Sequence, residues 1–161
     1  MNRPPSLRFL MAHPAHFIAL GCGSGLSMWA PGTVGTLFAW LTFAWLRPHL
    51  ADGPFLALLA IAFVLGVSAI HKTGRALGVV DHGSIVWDEI VPFWFVLLLT
   101  PAGFGWQLAA FVLFRLFDIT KPQPARWFDE HVKNGLGVMM DDVIAAFYAL
   151  LGIAVLKWLL N

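Results

Sequence analysis

The chain has 161 residues, of which 59% are hydrophobic and 12% are charged, and its mean hydropathy is +0.77. A soluble domain has about 45–50% apolar and about 25% charged residues, so this composition predicts a membrane protein. The formal net charge of +1 excludes the strong positive field that recruits nucleic acid, and the single Cys22 excludes an intramolecular disulfide.

The first segment with a recognisable pattern is residues 7–20. Apolar Phe9 and Phe17 alternate there with Arg8, His13 and His16. This mixture is typical of a helix that lies in the membrane interface, so the segment is expected to rest on the bilayer surface.

A glycine-rich stretch follows at residues 21–36, with the sequence GCGSGLSMWAPGTVGT. It lacks the GxxxxGK[ST] pattern of a phosphate-binding loop and the acid context of a dinucleotide fingerprint. Backbone N–H groups at the start of a helix can still hold an anion, with Ser24, Gly32 and Thr33 as the candidate contacts. A flexible entry loop with Thr33 as N-cap is an equally good interpretation.

Five apolar runs then predict an all-α, polytopic membrane protein, with residues 1–161 as one domain and about five transmembrane helices. Several runs are shorter than the roughly 20 residues that a crossing needs, so their helices are expected to extend into the polar flanks. The runs cover residues 34–46, 55–70, 90–99, 104–117 and 143–160.

Alternating crossings would place residues 1–33, 72–88 and 118–142 on one side of the membrane. Eight of the ten Lys and Arg residues and eight of the nine acids belong to that side, counting Arg115 and Glu89 at its border. The Lys and Arg bias predicts that this side is cytoplasmic, with the N-terminus inside and the C-terminus outside. The residues that can carry chemistry are therefore expected at one membrane face.

The third run begins with the adjacent carboxylates Asp88 and Glu89. In a soluble protein, the pair would simply complement the helix dipole, with Ser84 or Asp81 as the cap. A carboxylate at a bilayer centre costs about 2.5–3.5 kcal/mol, which favours a functional role here. Oxygen ligands with open positions suit Mg²⁺, which keeps waters and takes phosphate oxygens of a substrate.

The end of the fourth run places Arg115, Asp118 and Lys121 three residues apart, on one face if the helix persists. Pro122 predicts that the helix ends near Lys121. The segment fits either snorkelling cations with a local ion pair or a metal-binding carboxylate between two phosphate-binding cations. It does not decide between them alone.

The fifth run is preceded by Gly135, Gly137 and the pair Asp141 and Asp142. Adjacent helical residues point about 100° apart, so one acid can bind a metal while the other contacts a neighbouring group. The alternative is that both are first-turn residues favoured by the helix dipole.

Three blocks resemble the signature blocks of the phosphatidylglycerophosphatase A family. They are GCGSGLSMWAPGTVGT at 21–36, DHGSIVWDE at 81–89 and FRLFDITKPQPARWFDEHVKNGLGVMMDD at 114–142. Departures are confined to connecting positions such as Gln123 and Pro92, and Pro92 is expected near the first turn of its helix, where proline is tolerated.

The resemblance implies a Mg²⁺-dependent lipid phosphatase of the bacterial inner membrane. It would remove the terminal phosphate of phosphatidylglycerol phosphate to give phosphatidylglycerol. The chemistry of the acids favours attack by a water that the metal or a carboxylate orients, and a phospho-aspartate intermediate is the alternative. Catalytic and metal-binding roles are expected for Asp88, Glu89, Asp118, Asp141 and Asp142. Substrate binding is expected for Arg115, Lys121, Thr33, Ser24 and Gly32.

A small ion or proton transporter is the alternative function, because carboxylates inside a membrane mark transporters as well. Transporter acids belong near the midplane on broken helices, whereas these acids lie at the ends of apolar runs. The number of metal ions, the ligand within each acid pair and the oligomeric state are left open by the sequence.

Overall fold

The structure, a computed structural model, describes residues 4–160, and these residues fold into eight α-helices and two short 3₁₀ segments. The 3₁₀ segments are Gly21–Leu26 and Arg47–His49. The helices are α1 Leu7–Met11, α2 Pro14–Ala19, α3 Pro31–Leu46, α4 Asp52–Leu77, α5 Trp87–Leu99, α6 Phe104–Thr120, α7 Ala125–His131 and α8 Gly135–Leu160.

The five long helices α3, α4, α5, α6 and α8 coincide with the five apolar runs, so the all-α prediction is confirmed. They also extend into polar flanks as expected. The clearest case is α8, which begins at Gly135 although its apolar run begins at residue 143. Asn134 explains this early start, because its Oδ1 accepts the N–H groups of Leu136 and Gly137 at 2.9 and 3.1 Å, as an N-cap does.

Within residues 4–160, two helices rather than five are long and apolar enough to cross a membrane by themselves. They are α4 and α8, with 26 residues each. The helices α3, α5 and α6 have 16, 13 and 17 residues, or about 20–26 Å at about 1.5 Å per residue, against a hydrocarbon core of about 30 Å. The prediction of five crossings is therefore supported for two helices, and for the other three it stays a prediction.

The N-terminal region differs from the single helix expected over residues 7–20. It contains two short helices, because Pro14 lacks the N–H that would continue α1 into α2. Ser6 caps α1 by accepting the N–H of Phe9 at 3.2 Å, and His13 Nδ1 caps α2 by accepting the N–H of Ala15 at 3.0 Å. Arg3, which contributes to the predicted charge bias, lies outside the described residues.

Helix α5 is the centre of the bundle and packs against α3, α4, α6 and α8. Nine of its 13 residues are buried. Two indole N–H groups fix its position: Trp87 donates to the carbonyl oxygen of Ala62 at 3.0 Å, and Trp94 donates to that of Ala39 at 2.9 Å. The first turn of α5, with its two acids, is therefore held inside the bundle.

The distribution of polarity differs from that in a typical soluble protein in two respects. Four carboxylate residues are buried, whereas the outer faces of the long helices expose large apolar side chains. Examples of the latter are Trp45, Ile61, Phe104, Val112 and Trp158. This arrangement is typical of proteins whose outer surface contacts lipid, and it agrees with the composition.

Candidate active site

The five predicted acids lie together where α5, α6 and α8 meet. Asp88 and Glu89 are in the first turn of α5, Asp118 is in the last turn of α6, and Asp141 and Asp142 are near the start of α8. Their carboxylates are close enough to repel one another electrostatically. The side chain of Asp118 is 12% exposed and the other four residues are buried.

Arg115 joins two of these acids from different helices. Its Nη1 lies 2.7 Å from Glu89 Oε2 and 2.5 Å from Asp118 Oδ2. The predicted local ion pair with Asp118 is therefore present, and the same guanidinium also holds α5. Its buried Nε has no hydrogen-bond partner among the described residues, so one donor of the planar fork is free.

A threonine that sequence reasoning did not select completes the surroundings of Glu89. Thr36 is fully buried, and its Oγ1 lies 3.0 Å from Glu89 Oε2 and 2.9 Å from the carbonyl oxygen of Gly32. A hydroxyl has one proton, so Thr36 donates to one of these two oxygens at a time. The available signal was the spacing of four residues from Gly32, which places both on one face of a helix.

Of the three candidates in the glycine-rich stretch, Gly32 lies at the site. A Cβ at Gly32 would come within 2.8 Å of the Glu89 carboxyl carbon, so a larger residue there would displace the carboxylate. The prediction of Thr33 as N-cap is wrong, because α3 begins at Pro31 after Ala30. The Ser24 hydroxyl donates to the carbonyl oxygen of Gly21 at 2.8 Å, a contact within its own loop.

Lys121 does not share the helical face of Arg115 as the spacing suggested. It adopts a φ of 43° after the last residue of α6, in the left-handed region, and its side chain turns towards α8. Its Nζ lies 2.7 Å from Asp141 Oδ2 and 2.9 Å from Asp129 Oδ1, with Asp81 Oδ2 at 4.0 Å. Asp129 and Asp81 thus belong to the site, although sequence reasoning did not assign them to it.

The ammonium of Lys121 is held in its charged form. Burial alone would lower the pKa of Lys121, but the carboxylates of Asp141 and Asp129 outweigh burial and raise that pKa above its ordinary range. Lys121 is therefore a fixed cation at any physiological pH.

The dipole interpretation of Asp141 and Asp142 is wrong, because they are the seventh and eighth residues of α8 and lie beyond its first turn. Asp88 and Glu89 do lie in a first turn, but neither Ser84 nor Asp81 caps α5. The N-cap is Val86, which makes no side-chain hydrogen bond.

Pro92 lies deeper in α5 than expected. It is the sixth residue of that helix rather than a first-turn residue. Proline has no N–H, so the backbone carbonyl of Asp88, four residues earlier, lacks the donor that a regular helix would give it.

The site carries more negative than positive charge. Seven carboxylates surround Arg115 and Lys121, and Lys133 lies near two of them, Asp81 and Asp129. The acids are Asp81, Asp88, Glu89, Asp118, Asp129, Asp141 and Asp142. Isolated charges in a low-dielectric interior are unfavourable, so such an excess needs protonation or an additional cation.

The residues present fit a hard divalent cation. Among residues 4–160, no three His, Cys, Asp or Glu side chains form a ready-made metal site. The donors are nevertheless all oxygens, and the buried Oδ1 atoms of Asp88 and Asp141 have no hydrogen-bond partner in the described chain. Carboxylate oxygens of this kind are the ligands that Mg²⁺ takes in proteins.

Comparison with known proteins gives matches over nearly the whole chain. Residues 17–157 match the sequence model of the family described as Phosphatidylglycerophosphatase A. The chain is 46% identical over 158 residues to phosphatidylglycerophosphatase A of Haemophilus influenzae, covering 97% of each chain. It is 42% identical over 139 residues to phosphatidylglycerophosphatase A of Escherichia coli, covering 86% of this chain and 80% of the relative.

A third relative has a different printed name. It is the putative phosphatidylinositol-3-phosphatase of Bacteroides thetaiotaomicron, 40% identical over 168 residues with all of both chains covered. No solved structure matches the chain.

Proposed function

Because the chain belongs to the phosphatidylglycerophosphatase A family and is therefore a phosphatase, we propose that it hydrolyses the terminal phosphate of phosphatidylglycerol phosphate. The products are phosphatidylglycerol and phosphate. The observation that carries the proposal is the meeting of five acids from three helices with Arg115 and Lys121 at one end of the bundle. Phosphoryl transfer depends mainly on positioning and electrostatic stabilisation, and this cluster offers both.

Dependence on Mg²⁺ is part of the proposal. A phosphate monoester dianion would be repelled by seven carboxylates that three cations, Arg115, Lys121 and Lys133, offset only in part, so the substrate needs further positive charge in the site. A subset of Asp88, Glu89, Asp118, Asp141 and Asp142 would hold the ion. Bound there, Mg²⁺ supplies charge that neutralises the phosphate oxygens.

The chain's own residues then have distinct tasks. Arg115 is fixed through Nη1 and keeps Nε free for a phosphate oxygen, while Lys121 supplies a permanent positive charge. A carboxylate with a free oxygen, Asp88 or Asp141, orients the attacking water and accepts its proton. The water oxygen bonds to phosphorus, the ester P–O bond breaks, and the released glycerol oxygen takes up a proton that balances the one accepted by the carboxylate.

We place the protein in the bacterial inner membrane with the site at the cytoplasmic face. The apolar helices α4 and α8, the exposed apolar side chains and the Lys and Arg bias support this placement. The acids lie near helix ends, where a lipid phosphate would be, and not at the helix midpoints. Neither this position nor the matched relatives favour the transporter alternative.

A phosphate-release assay tests the proposal. Purified protein in mixed micelles is given phosphatidylglycerol phosphate with Mg²⁺ or with EDTA, and phosphatidylinositol 3-phosphate because of the Bacteroides relative's name. We expect release from phosphatidylglycerol phosphate that stops in EDTA. Release from the inositol lipid alone would contradict the proposed substrate.

The acid cluster is tested by Asp88→Asn, Asp118→Asn and Asp142→Asn. Loss of about 3 kcal/mol of transition-state stabilisation corresponds to roughly a hundredfold lower kcat, so each variant is expected to fall at least that far. Asp52→Asn is the control, because Asp52 is an exposed acid at the start of α4, paired with Arg47. Near-parental turnover in all three site variants would end the metal-site hypothesis.

The cations are tested separately from the acids. Arg115→Lys keeps the charge but loses the planar fork, so it is expected to lower kcat/KM. Lys121→Ala is expected to weaken phosphate binding and leave the Mg²⁺ requirement largely unchanged. If both variants, compared at equal folded concentration, hydrolyse lipid at the parental rate, the two cations serve stability alone.

A further inference from the structure

An apolar groove of about 350 Å³ opens on the outside of the bundle between α4, α5 and α8. Its size falls within the range of small-molecule sites, which is about 300–1,000 Å³. Leu56 on α4 and Phe95 on α5 form part of its wall and are 46% and 39% exposed, so the groove is open along its side.

The wall from α5 continues directly from the acid cluster. Val91, Pro92 and Phe95 line the groove and follow Asp88 by three, four and seven residues. These spacings place them on the same face of the helix as Asp88. At about 1.5 Å per residue, Pro92 lies about 6 Å and Phe95 about 10 Å further along the helix axis.

The groove residues of α8 and α4 also begin at the level of the acids. Ala146 lines the groove four residues after Asp142, one helical turn from that acid. On α4, Phe63 follows Ala62, whose carbonyl oxygen accepts the Trp87 indole N–H beside Asp88. Leu56 lies two turns from Phe63 towards the other end of α4. The groove therefore begins at the level of the carboxylates and runs away from them.

We propose that this groove holds one acyl chain of the phospholipid substrate while the phosphate lies among the carboxylates; the assignment rests on the proposed function. A lipid carries its phosphate and its chains on one glycerol unit, so an apolar channel that starts beside the acids matches the shape of the substrate. The open side lets the lipid enter laterally. Lipid tails are already in apolar surroundings, so the groove orients the phosphate more than it adds affinity.

Two alanines on α4 provide a matched test. Ala60 and Ala57 are both exposed, and Ala60 lines the groove whereas Ala57 is not among the lining residues. We expect Ala60→Phe to lower kcat on dioleoyl phosphatidylglycerol phosphate at least tenfold, because the phenylalanine side chain occupies the groove. Ala57→Phe adds the same side chain outside the groove and is expected to keep parental kcat.

A binding readout separates this inference from the proposed activity. Phosphatidylglycerol with a diazirine in one acyl chain is photolysed with each protein, and phosphatidylcholine with the same chain serves as the headgroup control. We expect phosphatidylglycerol to label α4, α5 and α8 peptides of the parent and of Ala57→Phe, and to label those of Ala60→Phe several-fold less.

The outcomes separate the two hypotheses. If the parent is labelled as expected but releases no phosphate from phosphatidylglycerol phosphate, the proposed function is wrong. Parental turnover and labelling in Ala60→Phe would overturn the groove assignment, and so would equal labelling by phosphatidylcholine, which indicates general lipid contact. If Ala60→Phe does not fold, Ala60→Leu fills less of the groove and replaces it. This variant is also expected to show lower kcat and weaker labelling than the parent.

Discussion

The buried hydroxyl of Thr36 contacts the same Glu89 oxygen, Oε2, that Arg115 holds. Thr36→Val preserves the shape of the side chain and removes the donor. A hydrogen bond to a charged group contributes about 1.5–3 kcal/mol, so kcat is expected to fall roughly tenfold or more, with a smaller change in KM. Thr36→Ser restores the hydroxyl and should recover most of the turnover.

Steady-state kinetics of both variants decide the role of Thr36. If Thr36→Val keeps the parental kcat, its hydroxyl serves only the carbonyl oxygen of Gly32 and has no part in positioning the carboxylate.

His16 is expected to give the fold a pH dependence at a place far from the acids. Its ring is buried, stacks on Phe9 with centroids 4.2 Å apart, and lies 3.0 Å from Thr73 Oγ1 through Nδ1. Burial first, and then the nearby His13 and Lys72, lower the pKa of His16 below its ordinary value of 6.5. The unfolded chain therefore binds this proton more readily, so stability from neutral His16 is complete above pH 6.5 and is lost as the pH falls below it.

Thermal unfolding in detergent between pH 7.5 and pH 5.5 measures this effect. On acidification, the midpoint of the parent should shift less favourably than that of His16→Gln, because only the parent must protonate a buried imidazole. His49→Gln, a change at an exposed histidine, is the control. An equal shift in His16→Gln and in the parent would assign the pH dependence to other groups.

The sequence predicted which acids meet at the site but not how they are paired. Alternating helices put the ends that carry Asp88, Asp118 and Asp142 on one side, whatever their rotation. The contact between Thr36 and Glu89 spans 53 positions and depends on how α3 is rotated against α5. The turn of Lys121 towards Asp141 depends on a left-handed backbone that nothing in its spacing indicates.

At the scale of elements, the start of α3 is strained. Ala30 precedes this helix with a φ of 43°, and its side chain is exposed. A left-handed L-residue costs about 1–2 kcal/mol, whereas glycine adopts this conformation freely but loses more entropy on folding. Ala30→Gly is therefore expected to stabilise the protein by about 0.5–1 kcal/mol without changing kcat.

A second N-cap alanine provides the control for this change. Ala51 precedes α4 with a φ of −67°, so Ala51→Gly tests only the preference of N-caps for glycine over alanine. Equilibrium unfolding of both variants should show the larger gain at position 30. An equal or smaller gain there would mean that the backbone of Ala30 is not strained.

The apolar runs predicted which helices exist better than where they begin. Each long helix coincides with an apolar run, because burial or lipid contact of an apolar face stabilises that segment as a helix. The predicted starts of α3 and α5 are wrong because their N-caps, Ala30 and Val86, have no capping side chain that would mark them in the sequence. The N-terminal segment forms two helices because Pro14 interrupts the helix, although the apolar and basic pattern continues across it.

At the scale of the whole molecule, the proposed topology predicts different accessibility for the two ends of the bundle. Leu50→Cys lies between α3 and α4, and Glu130→Cys lies on α7 near the acids. Both are made with Cys22→Ser, because Cys22 is exposed. In spheroplasts, an impermeant maleimide should label position 50 and leave position 130 unlabelled until the membrane is permeabilised.

Equal labelling at both positions in intact spheroplasts would contradict the predicted orientation. The sequence could predict the orientation in the membrane because the Lys and Arg bias depends only on the composition of the loops. It could not fix the number of crossings, since α3, α5 and α6 are shorter than a bilayer and their depth depends on packing.

The open side of the groove between α4, α5 and α8 bears on how fast the enzyme works in a membrane. A substrate that enters laterally is found by diffusion in two dimensions, and its lipid product leaves by the same route while phosphate departs into water. Turnover should then follow the mole fraction of substrate in the bilayer rather than its amount per volume. Diluting a fixed amount of substrate with inert lipid would slow the reaction, although nothing in the aqueous phase had changed.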